Sequence, residues 1–363
     1  MNVGEKIKKY RKRLNISGKE LAQKLGVTPA LISYYEQGKR QVPLKTLMQI
    51  SEIIKVPLEY LVTDKEYIAY SAYRGKGRIT KEEKEEVALF QEIVDNLIYV
   101  ADINNFNLVY HGPDEFRGKT ISDQQIGIIK ANLELPVITD YNSLVEALWL
   151  KWRVVVFALP FKNKNLSAIT IKRDGVYCVF INKGHTLERN FFSLAHELGH
   201  ILMHLETDEF IISRISSRDL KEKEANDFAS RFTVSYALLI DNVNERSSSE
   251  MITAEQIREL AKYFNVSYEC IAYNLVKANI LNYGKDEIAR LKEPIKEYEY
   301  KIAINDFPSI YHLLVYFALA KGEISISKAA KYLLSDIQSV NDEFRKIGKI
   351  LGKGYSQNDF NIR

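Results

Sequence analysis

The sequence predicts an α+β protein that is mostly helical. We expect a five-helix N-terminal domain, a central domain with a small antiparallel sheet, and a C-terminal helical region. Apolar residues recur at helical spacing over most of the chain. Runs rich in β-branched residues cluster at 154–159, 168–171 and 176–181, with an Asp-Gly turn before the last run. Positive charge is concentrated at one end, because residues 1–62 carry twelve Lys and Arg against five Asp and Glu.

Composition and length place the chain among ordinary globular proteins of two or three domains. It has 363 residues, of which 46% are hydrophobic and 27% charged. The opening residues MNVGEKIKKYRKR lack the apolar stretch of a signal peptide, and no apolar run is long enough to span a bilayer. We therefore expect a cytoplasmic protein. Cys178 and Cys270 are far apart, which argues against a disulfide framework and favours core positions for both.

The N-terminal segment predicts short helices separated by tight turns. Ser17 and Thr28 are placed to cap helices, and Gly26 and Gly38 are placed to end them. The predicted helices are 4–14, 18–25, 28–37, 44–54 and 58–61. A turn of three residues between the second and third helices is typical of a helix-turn-helix domain.

The segment ELAQKLGVTPALISYYEQGKR resembles the XRE-type, lambda-repressor-like DNA-binding family over nearly all of residues 1–62. The resemblance implies that residues 1–64 bind operator DNA and that helix 28–37 enters the major groove. The candidate contacts are Ala30, Ser33 and Tyr34 for base edges and Thr28, Lys39 and Arg40 for phosphates. The alternative is a domain used for dimerisation or for binding a protein partner.

The stretch 191–205 predicts a buried helix that carries three ionisable residues. His196 and His200 are four residues apart, so their side chains lie on one helical face and can share a metal ion. With Glu197 between them they form the HExxH pattern of zinc hydrolases. Burying such groups without partners costs several kcal/mol, which favours a metal site over chance.

A catalytic zinc ion needs three protein ligands, so the two histidines make only part of a site. His204 lies about 12 Å from His196 along the helix axis, too far to complete it. Position 206, where another zinc-peptidase pattern has a third histidine, is a glutamate. The remaining candidates are acidic residues of the next predicted helix, 219–232, and the residues alone leave three of them open: Glu222, Glu224 and Asp227.

The motifs HELGHILMH and EANDFASRF together resemble the ImmA/IrrE metallopeptidase family of gluzincin-like zinc enzymes, over roughly residues 90–281. The resemblance implies a zincin-like domain that binds Zn²⁺. It assigns His196 and His200 as ligands, Glu197 as general base and Glu224 as the third ligand. The sequence departs from the family at 233–235, where Thr-Val-Ser stands in place of the common Leu-Met-Pro.

A second helix-turn-helix shape is predicted over 250–283, because LAKYFNVSYECIAYNL repeats the pattern of LAQKLGVTPALISYYE at an offset of 239 residues. Residues 252–281 carry three basic and three acidic side chains, which disfavours DNA binding and favours a packing or partner surface. The predicted divisions are a DNA-binding domain (1–64), a linker (65–86), a metallopeptidase domain (87–245), the helical subdomain (250–283) and a helical extension (284–363).

These patterns predict a DNA-binding regulator fused to a zinc-dependent endopeptidase. Its substrate would be a partner regulator, a toxin or the chain itself, in stress, prophage or mobile-element control. The alternative is a repressor or antitoxin without proteolysis, in which the metal domain is a sensor or scaffold. The expected partners are DNA and a protein substrate or partner regulator, without a membrane, and a homodimer is left open.

Overall fold

A computed structural model describes residues 2–13, 16–54, 56, 58–62, 80–205, 210–214, 220–246, 252–281 and 307–351. The chain divides into two compact units, residues 1–77 with 208–210 and residues 78–207 with 211–363, which are described in turn. The predicted linker up to residue 79 and residues 284–306 and 352–363 of the predicted helical extension lie outside the described residues.

The N-terminal unit contains the five predicted helices: α1 (Val3–Arg13), α2 (Gly18–Leu25), α3 (Pro29–Glu36), α4 (Leu44–Ile54) and α5 (Leu58–Val62). The predicted caps are confirmed, since Ser17 accepts a hydrogen bond from the backbone of Glu20 and Thr28 accepts one from that of Leu31. Gly26 ends α2 in the left-handed conformation, at φ 67°.

A buried ion pair joins the first and third helices. The guanidinium of Arg11 on α1 donates from Nε and Nη2 to the two carboxylate oxygens of Glu36 on α3, at 2.6 and 2.9 Å. Both side chains are nearly enclosed. Apolar side chains from all five helices form the core around this pair, among them Ile7, Tyr10, Leu21, Ile32, Ile50 and Leu61. The unit is therefore held by its own core.

The second unit contains helices around a small sheet. Its elements in chain order are α6 (Lys81–Ile103), α7 (Asp123–Asn132), α8 (Tyr141–Trp152), β1 (Val154–Leu159), β2 (Leu166–Arg173), β3 (Val176–Asn182), α9 (Leu187–Met203), β4 (Phe210–Arg214), α10 (Leu220–Thr233), α11 (Tyr236–Arg246), α12 (Ala254–Phe264), α13 (Tyr268–Lys277), α14 (Ser309–Ala320), α15 (Ile326–Tyr332) and α16 (Ile337–Leu351). Among these helices, none is long and apolar enough to cross a membrane.

The sheet is mixed, with strand order β1-β3-β2-β4, and this corrects the predicted antiparallel arrangement. Strands β2 and β3 form the expected antiparallel hairpin through a turn at Asp174 and Gly175, both with positive φ. Strand β3 then lies between β1 and β2 and runs parallel to β1. The three strands lie where the β-branched runs predicted them.

Helices cover both faces of this sheet. Val154, Val179 and Ile181 face a core that also contains the apolar residues of α9. On the opposite face, Phe157 and Phe180 stack on each other, and Phe180 stacks on Phe90 of α6. Tyr311 of α14 meets Phe157 edge to face, at 5.7 Å between ring centroids. The C-terminal helices thus take part in the fold of the second unit.

Candidate metal centre and nucleic-acid interface

Helix α9 lies between the sheet and α10, and its second half is buried on all sides. Gly199 permits the close approach of α10, because a Cβ at this position would lie 3.0 Å from the Phe228 ring and 3.4 Å from the Cα of Ala225. His196 and His200 stand one turn apart on the face toward α10. Their Nε2 atoms are 3.0 Å apart. Both residues are buried, with exposed fractions of 5% for His196 and 1% for His200. The two imidazoles therefore lie on one face of α9.

Glu222 of α10 completes a group of three metal-ligand side chains. Its carboxylate oxygens lie 3.4 Å from Nε2 of His196 and 3.3 Å from Nε2 of His200. One potential ligand atom from each of the three residues lies within 4.8 Å of the others, and all three residues are buried. Among the described residues, this is the group of His, Cys, Asp and Glu side chains that can hold a metal ion.

The position of Glu224 corrects the sequence-based expectation for the third ligand. Its carboxylate contacts His204, at 2.9 Å, and its side chain is 44% exposed. Residues that are two positions apart on a helix differ by about 200° in direction, so Glu222 and Glu224 point away from each other. Glu222 lies three residues before Ala225 and seven before Ala229, on the buried stripe of α10. Asp227, the other candidate, pairs instead with Arg231 and Lys277.

The outer nitrogens of both histidines also have partners. Nδ1 of His196 lies 2.9 Å from Oδ1 of Asn226, and Nδ1 of His200 lies 2.8 Å from Nδ1 of His204. Sequence reasoning missed Asn226. A signal for it existed, because Asn226 follows Glu222 by four residues and therefore shares a helical face with it.

Glu197 is enclosed between α9 and the sheet. It is 0% exposed, and the hydroxyl of Thr170 on β2 donates a hydrogen bond to its Oε2. The strand that precedes α9 in the sequence, β3, lies inside the sheet between β1 and β2. Glu197 therefore has a fixed orientation beside the histidine that precedes it.

The pKa shifts of His200 and Glu222 favour the forms that bind a divalent metal, whereas the pKa shift of His196 favours its charged form. Burial lowers the pKa of His200 to about 3. Burial also acts to raise the pKa of Glu222, but the contacts with His196 and His200 outweigh it and lower that pKa to about 2. For His196 the effect of burial is outweighed by the contacts with Glu222, Glu197 and Asn226, which raise its pKa. An ionised carboxylate and a neutral imidazole are the forms that bind metal ions.

In the N-terminal unit, the predicted DNA-contacting residues lie on or beside α3. Thr28, Ala30, Lys39 and Arg40 are exposed, and the Tyr34 side chain is 50% exposed. Ser33 is half-buried and accepts a hydrogen bond from the Gln37 side chain at 2.8 Å. The hydroxyl of Thr28 is engaged in capping α3. The surface around α3 thus displays basic, hydroxyl and aromatic groups together.

The fold and the site define a chain in which a helix-turn-helix unit is joined to a helical domain with a candidate His-His-Glu metal centre. Residues 7–61 match a helix-turn-helix family model. Residues 151–276 match the peptidase-family model described as the IrrE N-terminal-like domain. The chain therefore contains a helix-turn-helix domain and an IrrE-like peptidase-family domain, as the resemblances implied.

Similar proteins match this chain at its N-terminal end. The uncharacterized HTH-type transcriptional regulator YqaE of Bacillus subtilis is 41% identical over 58 residues, 16% of this chain and 50% of that protein. An uncharacterized HTH-type transcriptional regulator of Sinorhizobium medicae is 34% identical over 64 residues, 18% of this chain and 46% of that protein. The matches span about half the length of these relatives.

One solved structure, that of ComR from Streptococcus suis, aligns over 97% of both chains with 10% sequence identity. The TM-score of this alignment is 0.17, which is too low to support a common fold.

Proposed function

We propose that this protein is a DNA-binding regulator whose IrrE-like domain is a zinc-dependent endopeptidase. Its substrate would be a partner regulator, a toxin or the chain itself. The observation that carries the proposal is the buried group His196, His200 and Glu222, with Glu197 next to the first ligand on α9. The helix-turn-helix match supports the DNA-binding half of the proposal, and action on DNA would place the protein in the cytoplasm.

The donor set of this group fits a catalytic zinc ion. Two imidazole nitrogens and one carboxylate oxygen are the ligands of a known class of catalytic zinc sites. The outer nitrogens of both imidazoles have partners, which fix the rings as second-shell contacts do in metal sites. When bound there, zinc lowers the pKa of a coordinated water to about 7 and polarises a substrate carbonyl.

Glu197 is the residue that we propose as general base. Its carboxylate would accept a proton from the attacking water and later donate it to the leaving amine of the substrate. The hydrogen bond from Thr170 holds this carboxylate in one orientation. A general base that keeps its geometry contributes about 10²- to 10⁴-fold to the rate.

The test is cleavage by zinc-loaded full-length protein of the proteins encoded beside its gene. We expect discrete fragments with the unsubstituted chain and none with Glu197→Gln, which keeps the shape of the side chain but cannot accept the proton. Zinc content should be unchanged in Glu197→Gln, because Glu197 is not among the proposed ligands. Fragments that persist at the same rate in this variant would contradict the assignment of the base.

A regulator without proteolysis is the second candidate. It is favoured by the relatives, which match at the helix-turn-helix end and carry the names of transcriptional regulators. In that case the metal domain would be a sensor or scaffold, and zinc would change DNA affinity while none of the tested proteins is cleaved. The same zinc-loaded protein, assayed for both cleavage and promoter binding, separates the two candidates.

A further inference from the structure

Three histidines stack along one face of α9 and its C-terminal cap, but they do not share one role. His196, His200 and His204 follow at intervals of four residues, with ring centroids 4.7 and 4.9 Å apart. The first two turn their Nε2 atoms toward Glu222. His204 turns its Nε2 toward Glu224, at 2.9 Å, and its Nδ1 toward Nδ1 of His200, at 2.8 Å. His204 therefore links Glu224 to a proposed ligand.

The protons in this chain of contacts can be assigned from chemistry. An ionised carboxylate only accepts hydrogen bonds, so Nε2 of His204 carries the proton that points to Glu224. A neutral imidazole with a proton on Nε2 has a lone pair on Nδ1. Nδ1 of His200 must then carry the proton shared by the two rings, which leaves Nε2 of His200 with its lone pair toward Glu222.

We propose that His204 and Glu224 are positioning residues that hold His200 in the tautomer able to bind a metal through Nε2. This inference rests on the metal site of the proposed function. His200 is 1% exposed, so water cannot readily replace a lost partner of its Nδ1. An orphaned buried ring nitrogen is costly, and the other tautomer, with the proton on Nε2, would be favoured where it finds an acceptor in Glu222.

The inference also explains why Glu224 lies where it does. Glu224 stands on α10 between Glu222 and Asn226, with its side chain 44% exposed and its carboxylate on His204. Asn226 contacts Nδ1 of His196 directly, whereas Nδ1 of His200 contacts His204, which in turn contacts Glu224. One segment of α10 therefore provides the third ligand and orients both histidines.

The first measurement is the tautomer of His200 in metal-free full-length protein, read from long-range ¹H–¹⁵N NMR correlations. We expect the proton on Nδ1 of His200. In His204→Phe, which keeps the ring volume but removes the acceptor, we expect this preference to be lost. Glu224→Ala tests the same chain from the exposed end, where a fold defect is not expected.

The second measurement is zinc affinity, by competition with a chelator of known affinity. Loss of second-shell partners weakens metal binding by about 10- to 100-fold, and we expect this for His204→Phe and Glu224→Ala. Glu224→Gln should restore most of the affinity, because its amide oxygen still accepts from His204. Lys223→Ala, an exposed neighbour on α10, is the matched control and should bind zinc as the unsubstituted chain does.

The inference is overturned if His204→Phe and Glu224→Ala keep both the zinc affinity and the His200 tautomer of the unsubstituted chain. Failure of the proposed function has a different signature, since the unsubstituted chain would then bind no zinc. In that case the NMR measurement still decides whether Glu224 and His204 set the tautomer of His200.

Discussion

Thr170, a residue of strand β2, donates a hydrogen bond to Glu197, the proposed general base. Thr170 is 0% exposed and donates to Oε2 of a carboxylate that is also fully buried. A buried charged group that loses a hydrogen-bond donor retains the cost of its desolvation. The orientation of Glu197 and the stability of the domain therefore depend on the same hydroxyl.

We predict that Thr170→Val, which replaces the hydroxyl with a methyl group of similar size, destabilises the protein by about 1–3 kcal/mol. Cleavage by the zinc-loaded protein should fall as well, while zinc content stays the same. Thr170→Ser keeps the donor and should remain close to the unsubstituted chain in both assays. Urea unfolding measures the stability, and equal midpoints for Thr170→Val and Thr170→Ser would refute the prediction.

Most residues of the candidate metal centre could be predicted from the sequence. The i, i+4 spacing fixed His196 and His200 on one face, and this was confirmed. The resemblance placed the third ligand at Glu224, whereas the structure brings Glu222 to the two histidines. The apolar stripe of α10 does not separate the two candidates, because Glu222 lies three residues before Ala225 and Glu224 lies four residues before Phe228.

The contact between α9 and α10 brings Glu222 of α10 close to the two histidines of α9 in the candidate metal centre. The two helices approach closely at Gly199, with Phe228 and Ala225 packed over the position where a Cβ would be. Glu222 lies one turn before Ala225 on α10. A side chain added at Gly199 would therefore increase the distance between Glu222 and the two histidines.

We predict that Gly199→Val destabilises the protein by about 1–3 kcal/mol, as overpacking of a tight core does, and weakens zinc binding. Gly127→Ala is the matched control, because Gly127 is also helical but has open space around it. That control should be neutral or stabilising by up to about 1 kcal/mol, since alanine favours helices. Unchanged zinc affinity in Gly199→Val would show that the helix contact does not set the position of Glu222.

Helices and strands were predicted more successfully than their arrangement. The caps at Ser17 and Thr28 and the hairpin turn at Asp174 and Gly175 are local signals, and each was confirmed. Strand β3 pairs parallel with β1, although β2 lies between these two strands in the sequence. The periodicity within a strand does not indicate such a non-local pairing. The sheet was for this reason predicted as antiparallel.

The charge distribution of the whole molecule supports separate roles for its two ends. Residues 1–62 carry a net charge of +7, so the rest of the chain sums to −3. Phosphate contacts made by Lys and Arg dominate affinity for DNA and make it dependent on salt. The exposed Lys39 and Arg40 beside α3 are the basic residues that we propose for this contact.

We predict that the full-length protein binds DNA from its own promoter and that affinity falls as salt rises. Lys39→Ala and Arg40→Ala should each reduce the slope of log affinity against log salt by about 1. Lys346→Ala, an exposed residue of α16, should leave the slope unchanged. Fluorescence anisotropy at several salt concentrations measures this slope. No binding even at low salt would contradict the proposal that the protein binds DNA.

The C-terminal region illustrates what the sequence could not reveal about the whole molecule. Its helical content was predicted, but its packing on the sheet through Tyr311 and Phe157 was not. These two residues are more than 150 positions apart in the sequence, and no local sequence pattern around either one identifies the other as its contact. Contacts of this kind arise only when the chain is folded.

The central claim is that His196, His200 and Glu222 hold a zinc ion, and its most direct test is the metal content of matched variants. Full-length protein is equilibrated with zinc at a buffered free concentration, separated from free metal, and analysed for zinc per chain. We predict about one zinc ion per unsubstituted chain, a near-complete loss in Glu222→Ala, and binding retained in Glu224→Ala with weaker affinity. Zinc retained in Glu222→Ala but lost in Glu224→Ala would contradict the account.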